Sequence, residues 1–517
     1  MTVSTFLVPL LVILLFVIAI ILWRTARFPM SVDSEIVLSD APSPDADGEL
    51  VAAHLSQAVQ LATISTQGAP LPSTLKAILS LHALLERLYP RVHSTLKKEI
   101  INGYSLLYTW EGTQPDLPPA LFLAHLDVVP AEDAPQAPAD IEESLRTAIA
   151  EGRPGAPWKY PPFSGQIADG YVWGRGATDD KCNVIGQMEA VEALLRSRYR
   201  PARTVMLAFG QDEEVGGRDG AATIAALLEK RGVRLFSVID EGGEVTEGIL
   251  PGVKAPVAMV GITEKGFLSL MLSVESQGGH SSAPPAHTAI GVLASAVQRL
   301  EAHPFTPHLE SALPMLRYLG ADLPVWLQLP LANLWLTGGL VRRTLAASPL
   351  TNAIIRTTQA VTIFHGGVKD NILPPKADAV VNFRILPGET HRSVYEHTTH
   401  AVADPRVSIR PARGETLSDS GWEPTPTSSL KSTAFRRLAG LIQAHFPTAA
   451  ISPYGVVGAT DARYYAPLSD SVYRFAPISG GKDELNRAHG TNERLSLANC
   501  GKMVAFYTDA IKALSLE

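Results

Sequence analysis

The longest apolar run in the chain lies at its start. FLVPLLVILLFVIAIILW, Phe6 to Trp23, carries no charge and is followed by Arg24 and Arg27. At 1.5 Å per helical residue it reaches roughly 27 Å, enough for a bilayer core. It has no polar face, so it does not read as a helix buried in a soluble domain. A signal peptide is the alternative, but the run lacks a basic leader and a small-x-small cleavage site, and it is long. We read residues 1–27 as a single-pass membrane anchor. Residues 28–48, rich in Pro, Asp and Ser, read as a linker.

From residue 49 the period of the pattern switches repeatedly. LVAAHLSQAVQLAT and STLKAILSLHALLERLYP place apolar residues at i, i+3, i+4 and i+7, which predicts helices. SLLYTWEG, ALFLAHLD, TVMLAFGQ and FSVIDEGG are short apolar runs and predict strands. CNVIGQMEAVEALLRSR and GAATIAALLEKRG predict helices between them. This alternation predicts an α/β sandwich with a mixed, largely parallel sheet over 49–263. The order then changes to strand, helix, strand, strand, helix, strand, from GFLSLMLSVES to RVSIRPA. That is the ferredoxin-like order. It predicts a second α+β domain over 264–412, inserted into the first, which resumes over 413–517. Within the second domain, residues 303–352 are extra and include LPVWLQLPLANLWLTGGLV. They read either as a helical subdomain with its own core, or as an acyl-chain tunnel or membrane-facing patch.

Composition narrows the picture. The chain has 517 residues, 46% hydrophobic, which supports two domains with separate cores. A net charge of -7 without any basic tract argues against a nucleic-acid partner. Two cysteines, Cys182 and Cys500, exclude a disulfide framework.

Acidic residues and histidines gather at the ends of the predicted strands. The clusters are LFLAHLDVVP, GRGATDDK, MLAFGQDEEVGG, FSVIDEGG and, far along the chain, NRAHGTNE. In open α/β sheets, sites form beyond the carboxyl ends of strands. Mixed imidazole and carboxylate donors there suit a two-metal hydrolase. Adjacent carboxylates such as Glu213 and Glu214 repel unless a cation sits beside them. Metal ions polarise a carbonyl and activate water, and a free Glu moves the proton.

These motifs carry a resemblance. H-x-D, G-R-G-x-x-D-x-K, D-E-E-x-G-G, D-E-G, G-G-H-S-S, N-I-L-P and a late H-G occur in the order found in the dizinc metallopeptidase family of aminoacylases, carboxypeptidase S and glutamate carboxypeptidases. NLWL, SPLTNAIIRTTQAVT and NILPPKADAVVNFRI resemble its carboxypeptidase S and N-fatty-acyl-amino-acid synthase/hydrolase branch most. The resemblance implies two Zn2+ per chain, with other divalent metals as an alternative. It implies that His125, Asp179 and Asp240 hold one ion, and that Asp179, Glu214 and His489 hold the other. Glu213 would be the general base and acid, and Asp127 would fix the His125 ring. Asp180 would be a bystander, Lys181 a loop support, and Glu241 an outer residue. His280 would stabilise an oxyanion, and Asn371, Arg384 and Arg463 would bind the substrate carboxylate. An ion pair inside the inserted domain is the plainer role for Arg384.

The expected substrate is a small molecule, either an N-acyl amino acid or a short peptide. An inactive membrane-tethered binding module is the alternative of another class. The inserted domain is expected to act as a lid and to mediate a homodimer. The resemblance places the catalytic part outside the cytoplasm or in a lumen, whereas Arg24 and Arg27 favour the cytoplasmic side.

Overall fold

The computed structural model describes residues 4–30, 41–131, 158–248, 253–485 and 487–517. The chain divides into two compact units. One comprises residues 31–262, 428–453 and 460–517; the other comprises 1–30, 263–427 and 454–459.

The first unit is built on a mixed sheet. Strands Ala120–His125 and Val205–Gly210 are buried along their whole length and pair in parallel. Ser237–Asp240 and Val472–Arg474 extend the parallel core, while Lys97–Ile101 and Ser105–Trp110 add an antiparallel edge. Parallel pairing is thus strongest at the centre, where continuous Val/Leu/Phe runs are covered on both faces. One face is covered by helices Gly48–Val59, Lys181–Arg196, Thr433–His445 and Leu497–Leu514. Ala221–Lys230 and the turns Asp461–Leu468 cover the other. Each large apolar side chain removed from water here contributes about 1.5–3 kcal/mol before chain entropy is set against it. A Cβ at Gly186 would meet Met503 Sδ at 2.6 Å, so glycine lets helices Lys181–Arg196 and Leu497–Leu514 approach closely.

The expected linker is only partly one. Ser43 donates from its N–H and Oγ to Asp509 at 2.7 and 2.6 Å, and Ala46 N–H donates to Gly501 O. Residues 41–47 are therefore packed on the C-terminal helix. The stretch 31–40 of the expected linker lies outside the described residues.

In the second unit, Thr358–Gly366, Lys376–Ile385, Gly266–Glu275 and Val407–Pro411 form an antiparallel sheet in that spatial order. Helices Ala289–Ala302 and His391–Val402 pack on it around Leu268, Leu272, Val381 and Phe383. Thr288 and Thr390 cap those helices, each accepting a backbone N–H through its side chain. Gly421–Trp422 also pairs with Phe267–Leu268, which carries this unit beyond residue 412. The apolar stretch after residue 303 folds as short helices, among them Leu313–Tyr318, Val325–Ala332, Leu334–Ala346 and Pro349–Ile355. They share a small core of Leu309, Ala312, Val341 and Ile355. Helix Ser4–Ala26 belongs to this unit, and among the described residues it alone is long and apolar enough to cross a membrane.

Candidate metal centre

His125 ends one central strand, and the next parallel strand leads into Asp212-Glu213-Glu214. Asp127, two residues after His125, joins them. Its Oδ1 accepts the Glu213 N–H at 3.1 Å, and its Oδ2 accepts the Glu214 N–H at 3.2 Å and the Ser65 hydroxyl at 2.6 Å. Asp127 also receives His125 Nδ1 at its backbone carbonyl, 3.0 Å away, with Oδ1 at 3.3 Å. Two acceptors around Nδ1 assign the proton to that nitrogen and leave Nε2 with its lone pair facing the cluster. Gly216 and Gly217 have φ of 113° and 64°, which lets the chain reverse just after Glu214.

Nε2 of His125 lies 3.0 Å from Asp179 Oδ1 and 3.5 Å from Glu241 Oε1. Asp179 Oδ2 lies 3.0 Å from His489 Nε2, which is also 3.0 Å from Glu214 Oε2. Two groups of donor atoms result, His125–Asp179–Glu241 and Asp179–Glu214–His489, with all atoms in each within 4.8 Å of one another. Asp179 is common to both. His489 reaches the site from a left-handed backbone position, φ 61°.

Glu241 Oε1 lies within the donor group around His125, where the resemblance implied Asp240. Asp240 is buried at the strand end, and backbone amides occupy its carboxylate: Oδ1 accepts from Glu241 at 2.9 Å and Oδ2 from Ala462 at 2.7 Å. Asp180, in neither donor group, has a structural place beside them. It is fully buried, its Oδ2 accepts the His125 N–H at 3.1 Å, and Asn183 binds its Oδ1. Lys181 is fully buried and donates to Ala58 O and Leu61 O at 3.0 and 2.5 Å; burial pushes its ammonium down to about 7.

Protonation follows from this crowding. Burial works to raise Asp179, yet the two imidazoles hold its carboxylate below the ordinary range. Burial, with Asp179 adding to it, pushes Glu241 up to about 8. Burial also raises Glu213 well above the ordinary range. Hydrogen bonds to Asp179 and Glu214 lift His489 to about 10. Groups that draw protons this strongly lack positive charge around them. Divalent cations meet that need, and imidazole and carboxylate donors without thiolate suit zinc or another first-row ion. The donor set therefore fits metal.

Two further residues escaped the sequence reading. Glu493 is fully buried and takes the amides of Gly176, Thr178 and Asp179 on Oε1 at 2.9, 2.9 and 3.1 Å. Its Oε2 takes Arg175 Nη1 at 2.6 Å. It thereby fixes the loop that carries Asp179; its only sequence signal is a place four residues after His489. Asp461 is buried against glycines: a Cβ at Gly217 would come within 2.1 Å of its Oδ1, and one at Gly210 within 2.4 Å of its Oδ2.

Of the other predicted residues, Arg463 lies in this unit. It donates to Thr460 O at 2.8 Å and Gly216 O at 2.6 Å, and stacks on Tyr464. His280, Asn371 and Arg384 lie in the other unit. His280 pairs with Ile372 in a two-stranded ribbon, and Ser281 N–H donates to Asn371 O at 3.2 Å, so His280 and Asn371 are neighbours. His280 Nδ1 accepts the Ser282 N–H at 3.1 Å, which leaves the proton on Nε2. Arg384 sits 5.0 Å over the Phe267 ring.

The sequence matches Peptidase family M20/M25/M40 over residues 121–513. The chain belongs to this family. It is 38% identical to the N-fatty-acyl-amino acid synthase/hydrolase PM20D1 of Homo sapiens over 465 residues, 89% of this chain and 86% of that one. It is 37% identical to the probable carboxypeptidase S-like 2 of Dictyostelium discoideum over 436 residues, covering 84% and 79%. Among solved structures, the M20 family metallo-carboxypeptidase Sso-CP2 of Sulfolobus solfataricus superposes with a TM-score of 0.63 at 18% identity, covering 90% of this chain and 99% of that one. The protein is a metallopeptidase-family enzyme of the amidohydrolase type, as its motifs implied. Its mixed α/β fold is that of the family.

Proposed function

We propose that this enzyme hydrolyses, and in the reverse direction forms, the amide bond of N-acyl amino acids with long acyl chains. The observation that carries the reading is the pair of donor groups sharing Asp179, with Glu213 beside them in a sequence related to an N-fatty-acyl-amino acid synthase/hydrolase. His125, Asp179 and Glu241 would hold one zinc, and Asp179, Glu214 and His489 the other. When bound, the metal pair supplies Lewis acidity to the amide carbonyl and acidifies the attacking water.

The chain's own groups do the rest. Glu213 takes a proton from water and delivers it to the leaving amide nitrogen, so amide and water become carboxylate and amine. Burial raises its basicity well above that of an ordinary carboxylate. In the reverse direction it takes the proton from the amine. Asp127 orients both His125 and the Glu213 backbone, so imidazole and base move as one. His280 offers an Nε2–H to the developing oxyanion, from its own chain or a partner copy in a homodimer. Asn371, Arg384 and Arg463 bind the substrate's free carboxylate.

We read residues 264–412, whose sheet order is the ferredoxin-like one, as the lid, and helix Ser4–Ala26 as a retained membrane anchor with the catalytic part extracytoplasmic or lumenal. A substrate panel tests the reading. N-oleoyl-phenylalanine should be turned over at least tenfold faster in kcat/KM than Gly-Leu, and a chelator should abolish both activities. A preference for Gly-Leu would assign the enzyme to short peptides instead.

A further inference from the structure

Helix Ser4–Ala26 does not leave its unit as a free tether. Its last two turns are bonded to the apolar insert. Val17, Ile20, Ile21, Thr25 and Phe28 form the half-buried or buried stripe of this segment, at helical spacing, while residues 8–16 are exposed. Asn333, fully buried between helices Val325–Ala332 and Leu334–Ala346, donates to Thr25 Oγ1 at 3.2 Å and Ile21 O at 3.4 Å. Arg24 Nε donates to Ala332 O at 3.2 Å. Beyond the helix, Met30 N–H donates to Arg317 O at 2.9 Å, and Pro29 crosses so close to Gly320 that a Cβ there would lie 2.8 Å away.

These contacts fix a depth. A bilayer core of about 30 Å takes roughly 20 helical residues. Counted from Ser4, it ends near Trp23 and Arg24. Asn333 is therefore held at the level where hydrocarbon gives way to headgroups. On the two helices flanking Asn333, Val325, Trp326, Trp335, Leu336 and Leu340 are 65%, 71%, 54%, 61% and 66% exposed. So many exposed large apolar side chains on two short neighbouring helices are costly in water. At the membrane boundary they are well placed, and tryptophan favours that level. Trp23, 57% exposed and carrying Arg27 at 4.7 Å over its ring, lies at the same level on the anchor.

We propose that helices Val325–Ala332 and Leu334–Ala346 lie in the interface of the same phospholipid bilayer that helix Ser4–Ala26 crosses, so that the unit is seated on the membrane rather than suspended above it. The proposal rests on the anchor reading and adds a second, in-plane contact.

Site-directed fluorescence quenching tests it in the full chain, reconstituted in phosphatidylcholine vesicles. The two native cysteines are buried, so a thiol-reactive fluorophore reports only introduced sites. Trp326→Cys and Leu340→Cys probe the insert, and Leu14→Cys probes the anchor. Val368→Cys is the aqueous control: it is 94% exposed and lies beyond the far end of the nine-residue strand Thr358–Gly366 that starts beside the insert. Labelled proteins are first checked for unchanged hydrolysis. Lipids with a doxyl group high on the acyl chain should quench the labels at 326 and 340 at least twofold, but not the label at 368. Deep-doxyl lipids should quench the label at 14. Quenching at 14 without quenching at 326 and 340 would overturn the seating and leave the anchor intact. No quenching at 14 would overturn both. Labels at 326 and 340 shielded from iodide only at high protein-to-lipid ratio, without lipid quenching, would assign the face to a second copy and overturn the proposal.

Discussion

Asp179 Oδ2 lies 3.0 Å from His489 Nε2, while Oδ1 of the same carboxylate lies 3.0 Å from His125 Nε2. One side chain thus serves two donor groups. Asp179→Asn should lose tight binding at both, whereas His489→Ala should keep the ion beside His125. Metal analysis after dialysis should read two equivalents for the parent, about one for His489→Ala and fewer than one for Asp179→Asn.

Glu213 has a different task from its neighbour. Glu213→Gln should lower turnover by roughly 10²–10⁴-fold and leave metal content at two. Glu214→Gln should lower both. Equal metal loss in the two variants would remove Glu213 from the role of proton carrier.

The adjacent pair Asp240 and Glu241 separates in the same way. Glu241→Gln should weaken metal binding with little change in melting temperature. Asp240→Asn should instead destabilise the fold by about 1–3 kcal/mol, because its carboxylate satisfies two backbone amides. Thermal melts and metal titrations of the two variants give opposite patterns if this is right.

The contrast shows where sequence reading stops. Continuous apolar runs such as ALFLAH and VMLAFG announced buried central strands, and the acidic motifs at their ends announced the cluster. Strand alternation cannot decide between two neighbouring acids just past a strand end. Here the Ala462 N–H, arriving from a distant turn, binds Asp240 Oδ2, and Glu241 Oε1 lies beside His125. Glu493 and Asp180 were missed for a like reason. Each acts on a backbone amide brought from elsewhere in the chain, and no local pattern encodes that. The packing of residues 41–47 was equally hidden, since Pro/Asp/Ser composition reads as linker until Asp509 is seen to capture Ser43.

Glu493 bears on stability as well as on the site. Glu493→Gln weakens its pairing with Arg175 and the bonds to three amides in the Asp179 loop. It should cost about 3–5 kcal/mol in denaturant unfolding and reduce metal affinity without removing any ligand.

Asp509 sets an acid limit. Burial works to raise it, but bonds from His445, Ser43 and Lys512 hold its carboxyl below the ordinary range. A depressed carboxyl contributes stability above its unfolded value, about 3.9, and loses it as pH falls through the folded value. Between pH 5 and 2 the parent should therefore lose stability more steeply than Asp509→Asn, which should be weaker by about 2 kcal/mol at pH 7. Parallel slopes in urea melts across that range would exclude the effect.

His489 and Glu493 come from near the end of the chain, yet they complete a loop and a ligand set begun at His125. The cluster is therefore long-range: the carboxylates beside His125 stay crowded and unbalanced until a segment far along the chain folds back onto them, so the donor set forms only with the tertiary fold and not with any local element.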